Sequence, residues 1–222
     1  MTLHEPATFA TDLLLAGLGA FFALRLKRAG EPSDAQVWWI RAMMVMAISA
    51  FVGGCYHGFH PEVPVQVEVW WWRCVLWIIC GLGFAMGMSL LCELRAPESR
   101  HAWRVLLMVK FAVACIVVIF KPEFIVAIAD YGSAMLAWLI AAVLLRRAWS
   151  WAMVFGVILS ILAGVVQQTR GVFVPPLNHN DLFHLVQALA LVAFHRAGKQ
   201  LRREERLPVK QHLGNPFEVQ NG

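Results

Sequence analysis

Seven long apolar segments, separated by short polar linkers, occupy most of this 222-residue chain. They cover residues 8–25, 37–57, 69–92, 103–120, 123–145, 149–167 and 181–197. Each is close to the roughly 20 residues that a helix needs to cross the hydrocarbon core of a bilayer. We therefore predict an all-α, polytopic membrane protein with seven transmembrane helices.

The composition of the chain agrees with this class. Apolar residues make up 59% of the sequence and charged residues 15%, whereas soluble domains are roughly 45–50% apolar and about 25% charged. Several of the ten tryptophans lie near segment ends, as in the aromatic belt of membrane proteins. The five cysteines lack CxxC spacing, so we expect small core residues and no disulfide framework.

Basic residues are distributed unequally between the two sets of linkers. Fifteen of the 19 Lys and Arg residues lie in or beside the linkers after segments one, three and five and in the C-terminal tail. The opposite linkers hold only Arg73, Lys121 and Arg170. By the positive-inside rule the chain is N-out and C-in. No aromatic-and-basic module accompanies the net charge of +5, so nucleic acid is not an expected partner.

The same pattern predicts the domain organisation. The residues before the first segment contain no Lys or Arg, so we expect that segment to stay as an anchor instead of being cleaved as a signal peptide. We predict one transmembrane domain, residues 1–198. A basic cytoplasmic tail, partly disordered, follows over residues 199–222.

Acidic and histidine side chains within the segments concentrate near the non-cytoplasmic end. Six of them come from six segments: Asp12, His57, Glu68, Asp130, Asp181 and His184. Ionisable groups in lipid are expensive and usually mark function. Their common depth predicts one buried polar site.

Two short stretches of this set are rich in histidine. His57 and His60 lie in CYHGFHPE at the end of segment two, and His179 and His184 lie in NHNDLFH at the start of segment seven. Neutral imidazole is a common zinc ligand, and a catalytic zinc has three protein ligands and a water. Alternatively, such a histidine only hydrogen-bonds a neighbouring helix.

Carboxylates extend the polar set. Glu68 follows His57 by eleven residues, and Asp130 lies about two turns into segment five. Either carboxylate is a candidate for orienting a ligating histidine or for acting as a general base. Asp181 is also a candidate helix N-cap, and Asp12 is a candidate cap or partner of a cation.

These stretches resemble the CREST superfamily, which contains the alkaline ceramidases and the progestin/adiponectin-type receptors. Its members are seven-helix proteins with a zinc site near the N-terminal side of the membrane. Their pattern is Ser-x-x-x-His on helix two, Asp at the start of helix three and His-x-x-x-His on helix seven. His57 resembles the helix-two ligand, Glu68 the helix-three acid, and His184 the second helix-seven histidine. NHNDLFH is also similar to stretches in bacterial relatives, which implies a bacterial inner membrane.

Two positions depart from that pattern. Gly53 stands four residues before His57, where the superfamily has Ser, and Asn180 stands four residues before His184, where it has His. Residues four apart differ by about 40° around a helix and residues five apart by about 140°. His179 therefore replaces the missing ligand only if the helix starts late or irregularly, for which the preceding Pro175 and Pro176 provide a reason.

The resemblance implies a zinc-dependent intramembrane hydrolase of a lipid amide or ester. His57 and His184 are the expected Zn²⁺ ligands, with His179 or His60 as the third. Glu68 or Asp130 is the expected base or orienting carboxylate. The expected substrate is a membrane lipid that enters from the outer leaflet.

Two other classes compete with this expectation. One is a non-catalytic receptor or sensor that keeps the fold, which the departures at Gly53 and Asn180 favour. The other is a transporter that uses Asp130 and His184 as a proton relay, although the chain has no inverted repeat.

The charge asymmetry yields a prediction about topology. A reporter that is active only in the periplasm should be silent when it is fused after Gly222, and active when it is inserted between residues 59 and 66. The measurement is reporter activity in intact bacteria at equal expression. Activity of the Gly222 fusion would contradict the predicted orientation.

Overall fold

The computed structural model describes residues 2–171, Val174 and residues 177–201, and these residues are almost entirely helical. Seven α-helices follow one another: α1 Pro6–Lys27, α2 Asp34–Phe59, α3 Val65–Leu94, α4 His101–Phe120, α5 Phe124–Leu145, α6 Ser150–Thr169 and α7 His179–Gln200. The predicted all-α class is confirmed over this part of the chain. The predicted tail from residue 202 onward, Pro175 and Pro176 lie outside the described residues.

The helix ends follow from local chemistry. Ser33 caps α2 by accepting a hydrogen bond from the backbone N–H of Gln36 at 3.1 Å. Arg146 and Arg170 stop α5 and α6 with left-handed backbone angles, φ 50° and φ 51°. A left-handed residue cannot continue a right-handed helix, so both helices end there.

Six helices, α1 to α6, are long and apolar enough to cross a membrane, which identifies an integral membrane protein. The α7 helix does not meet the same standard, although its 22 residues equal the length of α1. Imidazole, carboxylate and amide side chains in its first half lower its hydropathy. Asp181 and His184 have partners on α1, and Gln187 has a partner on α6.

Six helices form a closed ring, and the remaining one lies outside it. The ring runs α1, α2, α3, α5, α6, α7 and back to α1, while α4 packs on α3 and α5. Ala114 and Val118 are the buried residues of α4, whose other apolar side chains are largely exposed. In a bilayer, that exposed face of α4 lies against lipid.

Side-chain hydrogen bonds to backbone close the end of the ring where α1 and α7 finish. Gln36 Nε2 donates to the Gly198 carbonyl at 2.9 Å, and Trp39 Nε1 donates to the Phe194 carbonyl at 3.1 Å. A Cβ on Gly198 would lie 2.5 Å from Trp39 Cδ1, so α7 approaches α2 closely here. The bundle is therefore filled at this end, and open space remains at the other.

Two glycines of α6 make a matched test of this packing. A Cβ on Gly156 would lie 2.5 Å from Phe194 Cε1, whereas a Cβ on Gly164 would meet nothing within 4 Å. We expect Gly156→Ala to destabilise the protein by about 1–3 kcal/mol through overpacking. Gly164→Ala should be neutral or stabilising by about 0.5–1 kcal/mol, since alanine is the better helix former. Melting temperatures in one detergent would decide, and equal shifts would contradict the close α6–α7 contact.

Candidate functional site

A cavity of about 560 Å³ occupies the end of the bundle where α1, α3, α5 and α7 begin. All six ring helices contribute to its wall. Polar residues line the mouth: Glu123, Gln168, Arg170, His179 and Asn180. Apolar residues line the deeper wall: Leu15, Met46, Val75, Ile79 and Leu82. The cavity thus has one polar and one apolar end.

A carboxylate–imidazole pair lies in the wall of this cavity. Asp12 Oδ1 of α1 is 3.2 Å from His184 Nε2 of α7, and the two residues are only 4% and 6% exposed. The other carboxylate oxygen, Asp12 Oδ2, is buried and has no hydrogen-bond partner among the described residues. Such an oxygen is costly in a low-dielectric interior unless a proton or a cation compensates it.

The second ring nitrogen of His184 has its own partner. Its Nδ1 lies 3.0 Å from the Thr11 hydroxyl, which is also 3.0 Å from the carbonyl of Ala7, one turn earlier in α1. When the hydroxyl donates to that carbonyl, it accepts from Nδ1–H. The opposite tautomer has the proton on Nε2, which then donates to Asp12 Oδ1 while Nδ1 accepts from the Thr11 hydroxyl.

His57 is oriented in a similar way. The Nδ1 atom of His57 lies 3.3 Å from Oε2 of Glu5, the residue just before α1. His57 itself lines the cavity. A carboxylate beside Nδ1 favours a proton on that nitrogen and leaves the lone pair on Nε2. Both imidazoles thus have an oxygen near Nδ1, and the Nε2 atom of His184 in addition faces Asp12.

Asp181 has a structural position at the start of α7. Asn178 is the N-cap, and Asp181 is the third helical residue of a capping box, its Oδ2 accepting from the Asn178 N–H at 2.9 Å. Its Oδ1 accepts from the Thr8 hydroxyl at 2.8 Å. The prediction that Asp181 is the N-cap is therefore wrong: Asn178 is the N-cap, and Asp181 is the third helical residue of the box. Because α7 begins regularly at His179, the late or irregular start on which a ligand role of His179 depends does not occur.

Three of the five predicted site residues line the cavity: His57, His179 and His184. The other two, Glu68 and Asp130, are absent from its wall. Within the described part of the chain, no three His, Cys, Asp or Glu side chains converge closely enough to hold a metal ion. Of the histidine–carboxylate pairs among these residues, Asp12–His184 is the most buried.

Glu68 belongs to a separate group at the end of α2. Its Oε1 lies 3.2 Å from His60 Nδ1 and accepts from the Tyr56 hydroxyl at 3.4 Å. The rings of Tyr56 and His60 stack with centroids 4.7 Å apart. This group joins the end of α2 to the first turn of α3.

Asp130 faces α4 and not the cavity. Lys110 donates to Asp130 Oδ1 at 2.7 Å and to the Asp130 backbone carbonyl at 2.9 Å. A Cβ on Gly83 would lie 3.0 Å from Tyr131 Cα, so α3 also packs closely on this turn. The carboxylate therefore has a cation of its own, and the pair fastens α4 to the ring.

Sequence reasoning missed that α1 supplies most of the partners in the site. Thr8, Thr11 and Asp12 are three and four residues apart, so they lie on one face of the helix. Two hydroxyls and a carboxylate on one face of an apolar helix are the signal that would have predicted a polar contact with another helix.

Fold and site together define a class: an integral membrane helical bundle with a buried histidine–carboxylate site in a cavity at one end. Residues 7–203 match a family of unknown function, DUF6962, and the chain belongs to that family. The match includes every cavity-lining residue named above. No curated protein and no solved structure matches the chain.

Thr8 yields a prediction about the junction of α1 and α7. Thr8→Val keeps the shape but removes a buried hydroxyl that donates to Asp181 and accepts from Asn178 Nδ2 at 3.2 Å. Because two polar groups lose their partner, we expect a loss of about 1–3 kcal/mol in unfolding free energy. Thr169→Val is the control, since that hydroxyl bonds only the carbonyl of Val166 in its own helix. Equal melting temperatures for the two variants would contradict the bridge.

Proposed function

We propose that this protein is a zinc-dependent intramembrane hydrolase that cleaves an amide or ester bond of a membrane lipid. The observation that carries this proposal is the position of His57 and His184 in the wall of one cavity, each with an oxygen within hydrogen-bond distance of Nδ1. Histidines that bind zinc typically donate their other ring N–H to such an oxygen, which fixes the tautomer and ring orientation.

The donor types that line the cavity are ones that a divalent cation binds, although no three of them converge among the described residues. Two neutral imidazoles and carboxylate oxygens are donors that zinc accepts. The buried, unpartnered Oδ2 of Asp12 adds an uncompensated polar atom beside the cavity, which a cation would relieve. His179 also lines the mouth, but the regular start of α7 puts it about 140° around the helix from His184.

When bound, zinc supplies Lewis-acid polarisation of a carbonyl and an acidified water. The chain itself supplies orientation: Glu5 holds the ring of His57, and Thr11 holds the ring of His184. The apolar helices around the cavity limit the access of bulk water. Glu68 positions the end of α2 through Tyr56 and His60, and so acts on His57 from a distance.

The shape of the cavity suits an amphiphilic substrate. Met46 lies eleven residues before His57 on α2, about 16 Å deeper at 1.5 Å per residue. An acyl chain in the apolar depth would leave a polar linkage near the histidines and a headgroup at the mouth. Ile125 at the start of α5 lines the cavity and is 47% exposed.

The topology completes the proposal. We take α7 as the seventh span, because it packs along both α6 and α1 in the ring. Basic residues at the end of the bundle opposite the cavity, such as Arg25, Lys27, Arg146 and Arg147, support an N-out, C-in orientation. The cavity then opens toward the outer leaflet, on the periplasmic side of a bacterial inner membrane.

A second candidate is proton-coupled transport. Its supporting observation is that Asp12 and His184 form a buried pair with no third ionisable group converging on them among the described residues. A carboxylate and an imidazole at 3.2 Å can share or pass on a proton without any metal. The metal content of the purified protein separates the two candidates.

The test compares two buried histidines of α7. His184→Gln and His195→Gln change the same residue type on one helix, and both positions are 6% exposed, but His195 stacks on Phe22 away from the cavity. Zinc is measured by elemental analysis in detergent, and hydrolysis with fluorescent ceramide and a fluorescent ester lipid. We expect zinc and hydrolysis in wild type and His195→Gln. In His184→Gln, zinc affinity and hydrolysis rate should both fall by about 100-fold or more. Changing a residue that merely supports a metal ligand already costs about 10–100-fold.

Two results would overturn the hydrolase proposal. The first is wild-type protein without stoichiometric zinc after purification in zinc-containing buffer. The second is equal loss of zinc in His184→Gln and His195→Gln, which would indicate general destabilisation. Metal-free protein that takes up protons in liposomes, with loss of uptake in His184→Gln, would favour transport.

A further inference from the structure

We propose that the cavity holds a single linear acyl chain, and that Met46 of α2 limits the length of that chain to about 11–14 carbons. The substrate is then a lipid amide or ester of an acyl group of this length, with the rest of the lipid at the mouth or outside. The inference rests on the proposed function for the reaction, but the binding of the chain is measurable without it.

The depth available to the chain follows from positions along α2. A Cβ on Gly54 would lie 2.8 Å from Asp12 Cβ, so the Asp12–His184 pair lies near the level of residue 54. Met46 lies eight residues deeper than Gly54 and eleven deeper than His57. At 1.5 Å per residue, a linkage at these polar groups has about 12–16 Å of cavity below it.

This depth sets the length of the chain. An extended chain advances about 1.2 Å per single bond, because the three backbone bonds of an extended residue span at most about 3.6 Å. A depth of about 12–16 Å therefore matches about 10–13 bonds, which corresponds to about 11–14 carbons.

The volume of the cavity limits the number of chains. Its 560 Å³ lies within the range of about 300–1,000 Å³ that is typical of pockets enclosing one drug-sized molecule. A lipid with two long chains is larger than such a molecule. The cavity therefore has room for one chain and not for two.

The deep wall suits a hydrocarbon chain. Below the level of Gly53, α1, α2 and α3 contribute mostly apolar side chains, with Ser49 as the polar exception: Leu15, Met46, Ser49, Ala50, Ile79 and Leu82. Gly53 and Ala50 are small residues in the wall of α2 and leave width beside α3. Apolar walls favour a linear chain because its methylenes need no polar partner.

Met46 closes the deep end. A Cβ on Gly19 would lie 2.5 Å from Met46 Cε, so the side chain reaches across to α1, one turn below Leu15. Trp39, seven residues beyond Met46 on α2, packs edge-to-face on Trp138, with ring centroids 5.3 Å apart. These rings are only 2% and 0% exposed, so the bundle is filled behind Met46. A longer chain has no straight path past this residue.

The experiment is a competition for binding to the full-length protein in one detergent. Linear saturated fatty acids, shorter and longer than the expected range, displace a bound fluorescent fatty acid in zinc-free buffer. We expect wild type to prefer acids of about 11–14 carbons. Met46→Ala removes Cγ, Sδ and Cε, and should move the preferred length upward by about two or three carbons. Each acid partitions equally into the detergent of both samples, so the affinity ratio at each length reports the cavity.

Two further variants make the result decisive. Met153→Ala is the matched control, because Met153 of α6 is 0% exposed and absent from the cavity wall, and it should keep the wild-type preference. Leu82→Trp fills the deep wall from α3 and should move the preference toward shorter acids. It decides the question if Met46→Ala does not fold, since it adds volume instead of removing it.

The outcomes separate this inference from the proposed function. No displacement in wild type, the same length preference in wild type and both wall variants, or an equal shift in Met153→Ala overturns the role of the cavity. Zinc-dependent hydrolysis would then still support the hydrolase. A preference that moves in opposite directions in Met46→Ala and Leu82→Trp supports the inference. If such protein holds no zinc and hydrolyses no lipid, the hydrolase proposal falls and the chain-binding cavity stands.

Discussion

The contact between Asp12 and His184 is the constraint on which the cavity end of this bundle depends. Two ionisable groups in an apolar interior must be matched to each other, so α1 and α7 can approach only in the register that places them 3.2 Å apart. Thr8, Thr11 and the cap of α7 satisfy the remaining polar groups around that register. The first and last helices are thereby joined, and the ring of six is closed.

The two ends of the ring differ in packing and in hydrogen bonding. At one end, Trp39 and Gln36 fill the space between α2 and α7, where α7 has Gly198. Both side chains donate hydrogen bonds to backbone carbonyls of α7. At the other end, side chains bond side chains and leave about 560 Å³ open. Closely packed interiors deform little. The filled end therefore fixes the positions of the helices, and this keeps the polar groups at the open end in place.

The sequence predicts the depth of a residue well and its direction around the helix axis poorly. The seven segments and the common depth of the ionisable groups follow from hydropathy, and the helices begin within a few residues of the predicted bounds. His57 and His184 were correctly expected to lie in one cavity. Glu68 and Asp130 share that depth but point elsewhere, toward His60 and Lys110, because the rotation of each helix is set by its packing. The sequence marks Asp12 as an ionisable residue within an apolar segment. Its partner lies 172 residues later in the chain, and local spacing does not predict which distant helices pack together.

The position of α4 outside the ring has a consequence for how the chain enters the membrane. Lys110 lies in the middle of an apolar helix, and its partner Asp130 is 20 residues later in the chain. A lysine at the centre of a lone helix opposes insertion by about 2.5–3.5 kcal/mol. During synthesis α4 therefore carries this penalty until α5 has emerged, and the two helices are best inserted together as a neutralised hairpin. The ion pair that fastens α4 in the finished protein thus also favours the joint insertion of α4 and α5.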